Sequence, residues 1–161
     1  MPEGTYNHTL FGLVKFKTES PKWVYGDQIT FTSGFDPSVI TAVMIPELRD
    51  VPGGNHGVLK FHEKGHKQLQ AAFKQINQDG LMHHIRTCGG TVNMRLRRPI
   101  SGKLSKLPSN HAFGTAIDLN EDDGSKGGSV APVAPIFKAH GFNWGKSFND
   151  PMHFEIKYFV S

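Results

Sequence analysis

Two short segments, SNHAFGTAID (109–118) and DPMHFE (150–155), constrain this chain more than any other feature in it. Together they offer His111, Asp118 and His153, two imidazoles and one carboxylate from distant stretches that a fold must bring to one place. That donor set suits a zinc ion with three protein ligands and one coordination position left for water. Asp150 lies three residues before His153, close enough in sequence to act on such a water as a base. The chemistry implied is metal-dependent hydrolysis.

Local patterning says how the two segments present these groups. Side chains two apart on a strand share a face. A strand over 115–119 then turns Ala116 and Asp118 toward the site and Thr115, Ile117 and Leu119 away from it. Gly114 permits a turn that returns His111 toward Asp118. A second strand over 153–158 puts His153 and Glu155 on one face and Phe154 and Ile156 on the other, so Glu155 can orient a ligand imidazole. A developing oxyanion also calls for a cation. Arg95, Arg97 and Arg98, just upstream of the first segment, are the candidates.

Elsewhere, Leu69, Ala72, Phe73 and Ile76 recur at helical spacing and predict a helix over 63–78, with Asp79 and Gly80 as its stop. A shorter helix is expected over 131–140, with Val133, Ile136 and Phe137 inward and Gly141 closing it. Pro132 fits a first turn, whereas Pro135 delays the start. Residues 1–50 read as short strands and loops, 50–57 as a loop, and 124–129 as a flexible loop. Strands and helices do not alternate regularly, which favours an α+β fold with a small antiparallel sheet over a parallel one.

A chain of 161 residues is long enough for one domain with a real core and too short for two comfortable ones. A single domain over 1–161 is therefore expected, with no internal repeat. With 37% hydrophobic and 20% charged residues it reads as globular rather than disordered or membrane-spanning. The formal charge of +4 favours anionic partners without choosing among them. The single Cys88 forbids an intrachain disulfide, and the apolar stretch 39–45 is too short to cross a bilayer. The first residues, MPEGTYNH, carry neither a basic start nor an apolar run, so the expectation is a cytoplasmic protein without a signal peptide.

Blander readings stand beside these. His8, His56, His62, His66, His83, His84 and His140 read as surface or internally satisfied residues. The His111, Asp118 and His153 set could hold a structural zinc in a binding domain, but Asp150 stands where a base belongs. A nucleic-acid patch of Arg86, Arg95, Arg97, Arg98 and Lys103 lacks stacking aromatics nearby in sequence, so no nucleic-acid partner is expected. Cys88 with His83 or His84 could be imagined as a thiol nucleophile, although a lone cysteine is usually buried and inert.

The pattern SxHxxGxAxD followed by DxxHxE resembles the zinc peptidoglycan peptidases that include VanY-type D-Ala-D-Ala carboxypeptidases and phage endolysin L-alanyl-D-glutamate endopeptidases. The likeness runs over 43–155. It takes in IPEL (45–48), GGTVNMR (89–95), SNHAFGTAIDLN (109–120), HGFNWG (140–145) and DPMHFE (150–155). It implies His111, Asp118 and His153 as ligands of one catalytic Zn2+, Asp150 as the base and Arg95 as the substrate or oxyanion arginine. It also implies Ser109 as a polar pocket residue and Glu155 behind the ligands. The RLRR run leaves Arg97 and Arg98 open beside Arg95. The implied fold is a hedgehog/D-Ala-D-Ala-peptidase-like antiparallel sheet flanked by helices, and the implied substrate is peptidoglycan. Residues 1–42 fall outside the likeness as an extension of unknown role. A phage or prophage endolysin fits best, a monomer that a holin-type partner releases to the wall or a phage particle carries, with a D-alanyl-D-alanine carboxypeptidase as the alternative.

Overall fold

A computed structural model describes residues 2–23, 27–97 and 105–160. Arg98 and Lys103, candidates from the sequence, lie outside the described residues. Among the described residues, three antiparallel sheets and two α-helices make an α+β architecture. Strands β1 (Glu3–His8), β2 (Gly12–Thr18) and β3 (Ile29–Ser33) form an N-terminal meander. Strands β4 (Ile40–Met44) and β5 (Val58–His62) form a two-stranded ribbon. Four later strands, β6 (Cys88–Gly90), β7 (Ala116–Leu119), β8 (Phe142–Trp144) and β9 (His153–Ile156), pair in the order β6-β7-β9-β8. The antiparallel α+β class expected from the sequence is found, with the described strands divided among three sheets rather than gathered in one. Alternation identifies a strand, but pairing is chosen by contacts between strands distant in sequence.

Helix α1 (His66–Gln78) buries Leu69, Ala72, Phe73 and Ile76, the stripe read from the sequence. It stops as expected. Gly80 takes φ +72, its amide reaches the Asn77 carbonyl, and the Leu81 amide reaches back to the Ile76 carbonyl, pairing the last helical carbonyls. The turn Glu63–Gly65 that precedes α1 is 3-10 rather than α, so the α-helix proper begins three residues later than the spacing predicts. Helix α2 (Ala134–Ala139) is shorter than expected. Pro135 lies in its first turn, and the residues before it, Gly128–Val133, wind as a 3-10 helix. The loop read as flexible is organised by Asp123, whose carboxylate accepts from the amides of Ser125, Gly127 and Ser129 and from the Ser125 and Ser129 hydroxyls.

One core joins these layers. Val43, Leu59 and Phe61 of the ribbon meet the α1 stripe, Ile136 and Phe137 of α2, and Ile117, Leu119, Phe154 and Ile156 of the four-stranded sheet. A smaller cluster, Phe16, Ile29, Leu96 and Ala112, fastens the N-terminal meander to the segment that carries His111. Among the described residues of 1–42, β1 to β3 pack on the segment that carries His111.

His62 ties the ribbon to that region: its amide donates to the Gly114 carbonyl at 2.7 Å, and its buried ring stacks on Phe11. Burial, with the charges of Lys64 and His66, pushes its pKa from the usual 6.5 down to about 4. An unfolded chain takes up this proton first, so stability falls as pH drops from 6.5 toward 4. Urea unfolding in chelator should show the parent losing about 1–3 kcal/mol more than His62→Gln over that window, at about 1.4 kcal/mol per pKa unit. Parallel pH profiles for the two proteins would refute the assignment.

Candidate metal centre

Strand register makes the site. In the antiparallel β7–β9 pair Asp118 stands directly opposite His153, and residues opposite one another project to the same face. Ile117 and Phe154 are also opposed, on the other face, and both are fully buried in the core. The strand alternation read from the sequence holds on both strands, although β9 ends at Ile156 rather than 158. His111 arrives by a different route. It lies in the 3-10 turn Asn110–Phe113, where the Ser109 hydroxyl oxygen accepts from the His111 amide and caps the turn. Gly114 ends the turn at φ +67, and a Cβ there would sit 2.8 Å from the Ile40 side chain and 3.0 Å from the His62 amide nitrogen. Chain reversal and close approach both call for glycine at this position.

The three side chains converge. His111 Nε2 lies 3.2 Å from Asp118 Oδ2, and His153 Nδ1 lies 3.1 Å from Asp118 Oδ1. One donor atom from each falls within 4.8 Å of the others, and all three residues are buried. Each imidazole is anchored through its far nitrogen. His111 Nδ1 donates to the Thr91 carbonyl at 3.3 Å, and His153 Nε2 donates to Glu155 Oε1 at 2.8 Å. Those bonds occupy the far nitrogens, so His111 Nε2 and His153 Nδ1, which face the carboxylate, are the ones a metal would take on losing their protons. Two such nitrogens with one carboxylate fit zinc.

The charges are arranged to match. Burial works to raise the Asp118 carboxyl, but the hydrogen bonds and charge of His111 and His153 overcome it and hold the group well below the usual carboxylate range. Burial likewise disfavours a charged His153, and Asp118 and Glu155 reverse that, raising its pKa. Glu155 is lowered in turn: His153 and Asn110 hydrogen bonds and the Arg97 charge outweigh its burial. Positive charge is therefore favoured where these groups meet.

Asp150 stands at the rim. Its Oδ2 lies 3.9 Å from His153 Nδ1, and its side chain keeps 32% exposure. The loop 145–152 sets this position: the Asp150 amide donates to the Gly145 carbonyl at 2.8 Å, and Trp144 Nε1 donates to the Pro151 carbonyl at 2.6 Å. Gly145 lies so close that a Cβ would meet the Asp150 carbonyl oxygen at 2.1 Å.

The arginines separate. Arg95 is joined to the His111 turn through its carbonyl, which accepts from the Ser109 amide at 2.9 Å, while its Nη1 donates to the Leu96 carbonyl. Arg97 donates to the Tyr6 hydroxyl at 2.7 Å and the Pro108 carbonyl at 3.1 Å, and its guanidinium sits 5.3 Å over the Tyr6 ring. The aromatic absent from its sequence neighbourhood comes from β1. Cys88 is buried, and burial pushes its thiol pKa up, opposite to what a nucleophile needs. His83 and His84 pack ring against ring at 4.1 Å, apart from the described cluster. Asn110 and the Thr91 carbonyl complete the site and were missed in the sequence. Asn110 sits inside the motif, whereas a backbone carbonyl leaves no signal.

No helix among the described residues is long and apolar enough to cross a membrane. No curated protein and no solved structure matches the chain. A family model described as D-alanyl-D-alanine carboxypeptidase matches residues 103–156, about a third of the chain, which carries His111, Asp118, Asp150, His153 and Glu155 but not Arg95 or Arg97. Over that segment the chain is similar to a family of zinc peptidases acting on peptidoglycan, and the match supports a metallopeptidase.

Proposed function

We propose that this chain is a single-domain zinc peptidase that hydrolyses a peptide bond in peptidoglycan stem peptides. The observation that carries the reading is the convergence of His111, Asp118 and His153, each imidazole fixed from behind, with the half-buried Asp150 carboxylate beside them. His111 Nε2, Asp118 and His153 Nδ1 would hold the ion. When bound, zinc supplies Lewis acidity to a water molecule and to the scissile carbonyl. Asp150 takes the proton of the attacking water on its carboxylate and returns it to the leaving amine. Glu155 and the Thr91 carbonyl keep the two imidazoles in register during this transfer. An arginine of the 95–98 run, with Arg95 the first choice, balances the developing oxyanion. The net charge of +4 suits a wall rich in carboxylates and anionic polymers.

Within the stem peptide the proposed bond is that between L-alanine and D-glutamate, on the likeness of the two motifs to phage endolysins, with release to the wall by a holin-type partner. The description of the matched family favours a second reading, removal of the terminal D-alanine. Digestion of purified peptidoglycan with and without chelator, followed by mass spectrometry of new termini, separates them. A new N-terminal D-glutamate supports the first reading and free D-alanine the second. Chelation should abolish either product and added zinc restore it; hydrolysis that persists in chelator would refute the metal assignment.

A further inference from the structure

His8 is buried 102 residues away from Asn110 in sequence, yet its Nε2 lies 2.8 Å from Asn110 Oδ1. The hydrogen-bond directions from there are forced. The Leu10 amide donates to His8 Nδ1 at 3.0 Å, so the ring proton sits on Nε2 and Asn110 must present its oxygen. That leaves the Asn110 amide nitrogen to donate to Glu155 Oε2 at 2.6 Å. Glu155, a carboxylate accepting on both oxygens, receives His153 Nε2–H on Oε1 at 2.8 Å. The nitrogen of His153 left for a metal is then Nδ1, the one that faces Asp118.

We infer that His8 and Asn110 are positioning residues of the metal centre: through Glu155 they fix the tautomer and orientation of His153, so the N-terminal sheet sets the affinity of the site. The inference rests on the metal reading above. Packing holds the first link rigid. The His8 ring lies 4.4 Å from the Phe113 ring, on the turn that carries His111, and 5.3 Å from the Tyr6 ring. Arg97 braces the same strand through the Tyr6 hydroxyl, and its charge bears on Glu155. Without Asn110, Glu155 loses the partner that holds its second oxygen in place; without His8, Asn110 loses the contact that sets which of its atoms faces Glu155.

The test is zinc affinity, measured by competition with a chromophoric chelator and independent of turnover. Partners behind a ligand are worth about 10–100-fold in metal affinity. Asn110→Leu should fall in that range and His8→Ala near its lower end, about tenfold, while the unfolding midpoint of the chelated protein serves as the stability control. His8→Gln, which keeps a donor facing Asn110, should recover most of the loss. In a Glu155→Gln background, His8→Ala should add less than about twofold, because it acts through Glu155. Zinc affinity within about twofold of the parent in both His8→Ala and Asn110→Leu would overturn the inference even if the midpoint fell. Should His8→Ala fail to fold, Asn110→Asp, which sets one carboxylate against another, reads the same link, and parental affinity there overturns it. A parent that takes up no zinc refutes the metal reading itself, whereas a zinc-binding parent with indifferent variants refutes only the positioning role.

Discussion

Asp150→Asn is expected to bind zinc with parental affinity and to hydrolyse stem peptide roughly 10²–10⁴-fold more slowly, the usual contribution of a positioned base. The substitution keeps shape and removes only the ability to accept a proton. Asp150 Oδ2 lies 3.9 Å from His153 Nδ1, beyond direct hydrogen bonding yet beside the donor cluster. Its amide donates to the Gly145 carbonyl, a bond the substitution leaves in place, so the loop should keep its path in the variant. Kinetics on defined muropeptides, with zinc content measured on the same samples, check the result. Turnover at the parental rate would remove Asp150 from the mechanism, and loss of zinc would make it a ligand instead.

Phe154→Ala should have the largest effect on stability. The residue is fully buried between His153 and Glu155 on β9, its ring stacked 4.2 Å from Phe137 and 6.4 Å from Trp144. Truncating a buried phenylalanine costs about 3–5 kcal/mol, from lost transfer energy and the cavity left behind. For a chain of this size that is a large part of a total stability of about 5–15 kcal/mol and lowers the thermal midpoint by roughly 6–20 °C. Because the same strand presents His153 and Glu155 on its opposite face, zinc affinity should fall with it. A loss below about 1 kcal/mol in urea unfolding would mean the aromatic stack is not what holds β9 in register.

The convergence of His111, Asp118 and His153 was legible because its signal is local and chemical. His111, Asp118 and His153 sit in segments whose alternation assigns each side chain a face, and the β7–β9 register puts Asp118 opposite His153. Helix α1 was legible for a similar reason: its period and Gly80 together fix a face and an end. Pro135 and the 3-10 winding before it shortened α2, because local strain decides where an α-helix begins. Ser109, expected as a pocket residue, caps the turn bearing His111, a role that depends on backbone angles the sequence does not display. The division of the strands into three sheets was not legible at all.

From residue types and spacing alone follow the donor set, the carboxylate beside it, the faces of its two strands and the long helix. These are short-range properties, governed by side-chain chemistry and by repeats of two or 3.6 residues. Tertiary structure alone chose the strand partners, brought His8 of β1 against Asn110 and placed Tyr6 beneath Arg97. Contacts across such separations depend on how whole layers bury their apolar faces against one another, which no local pattern encodes.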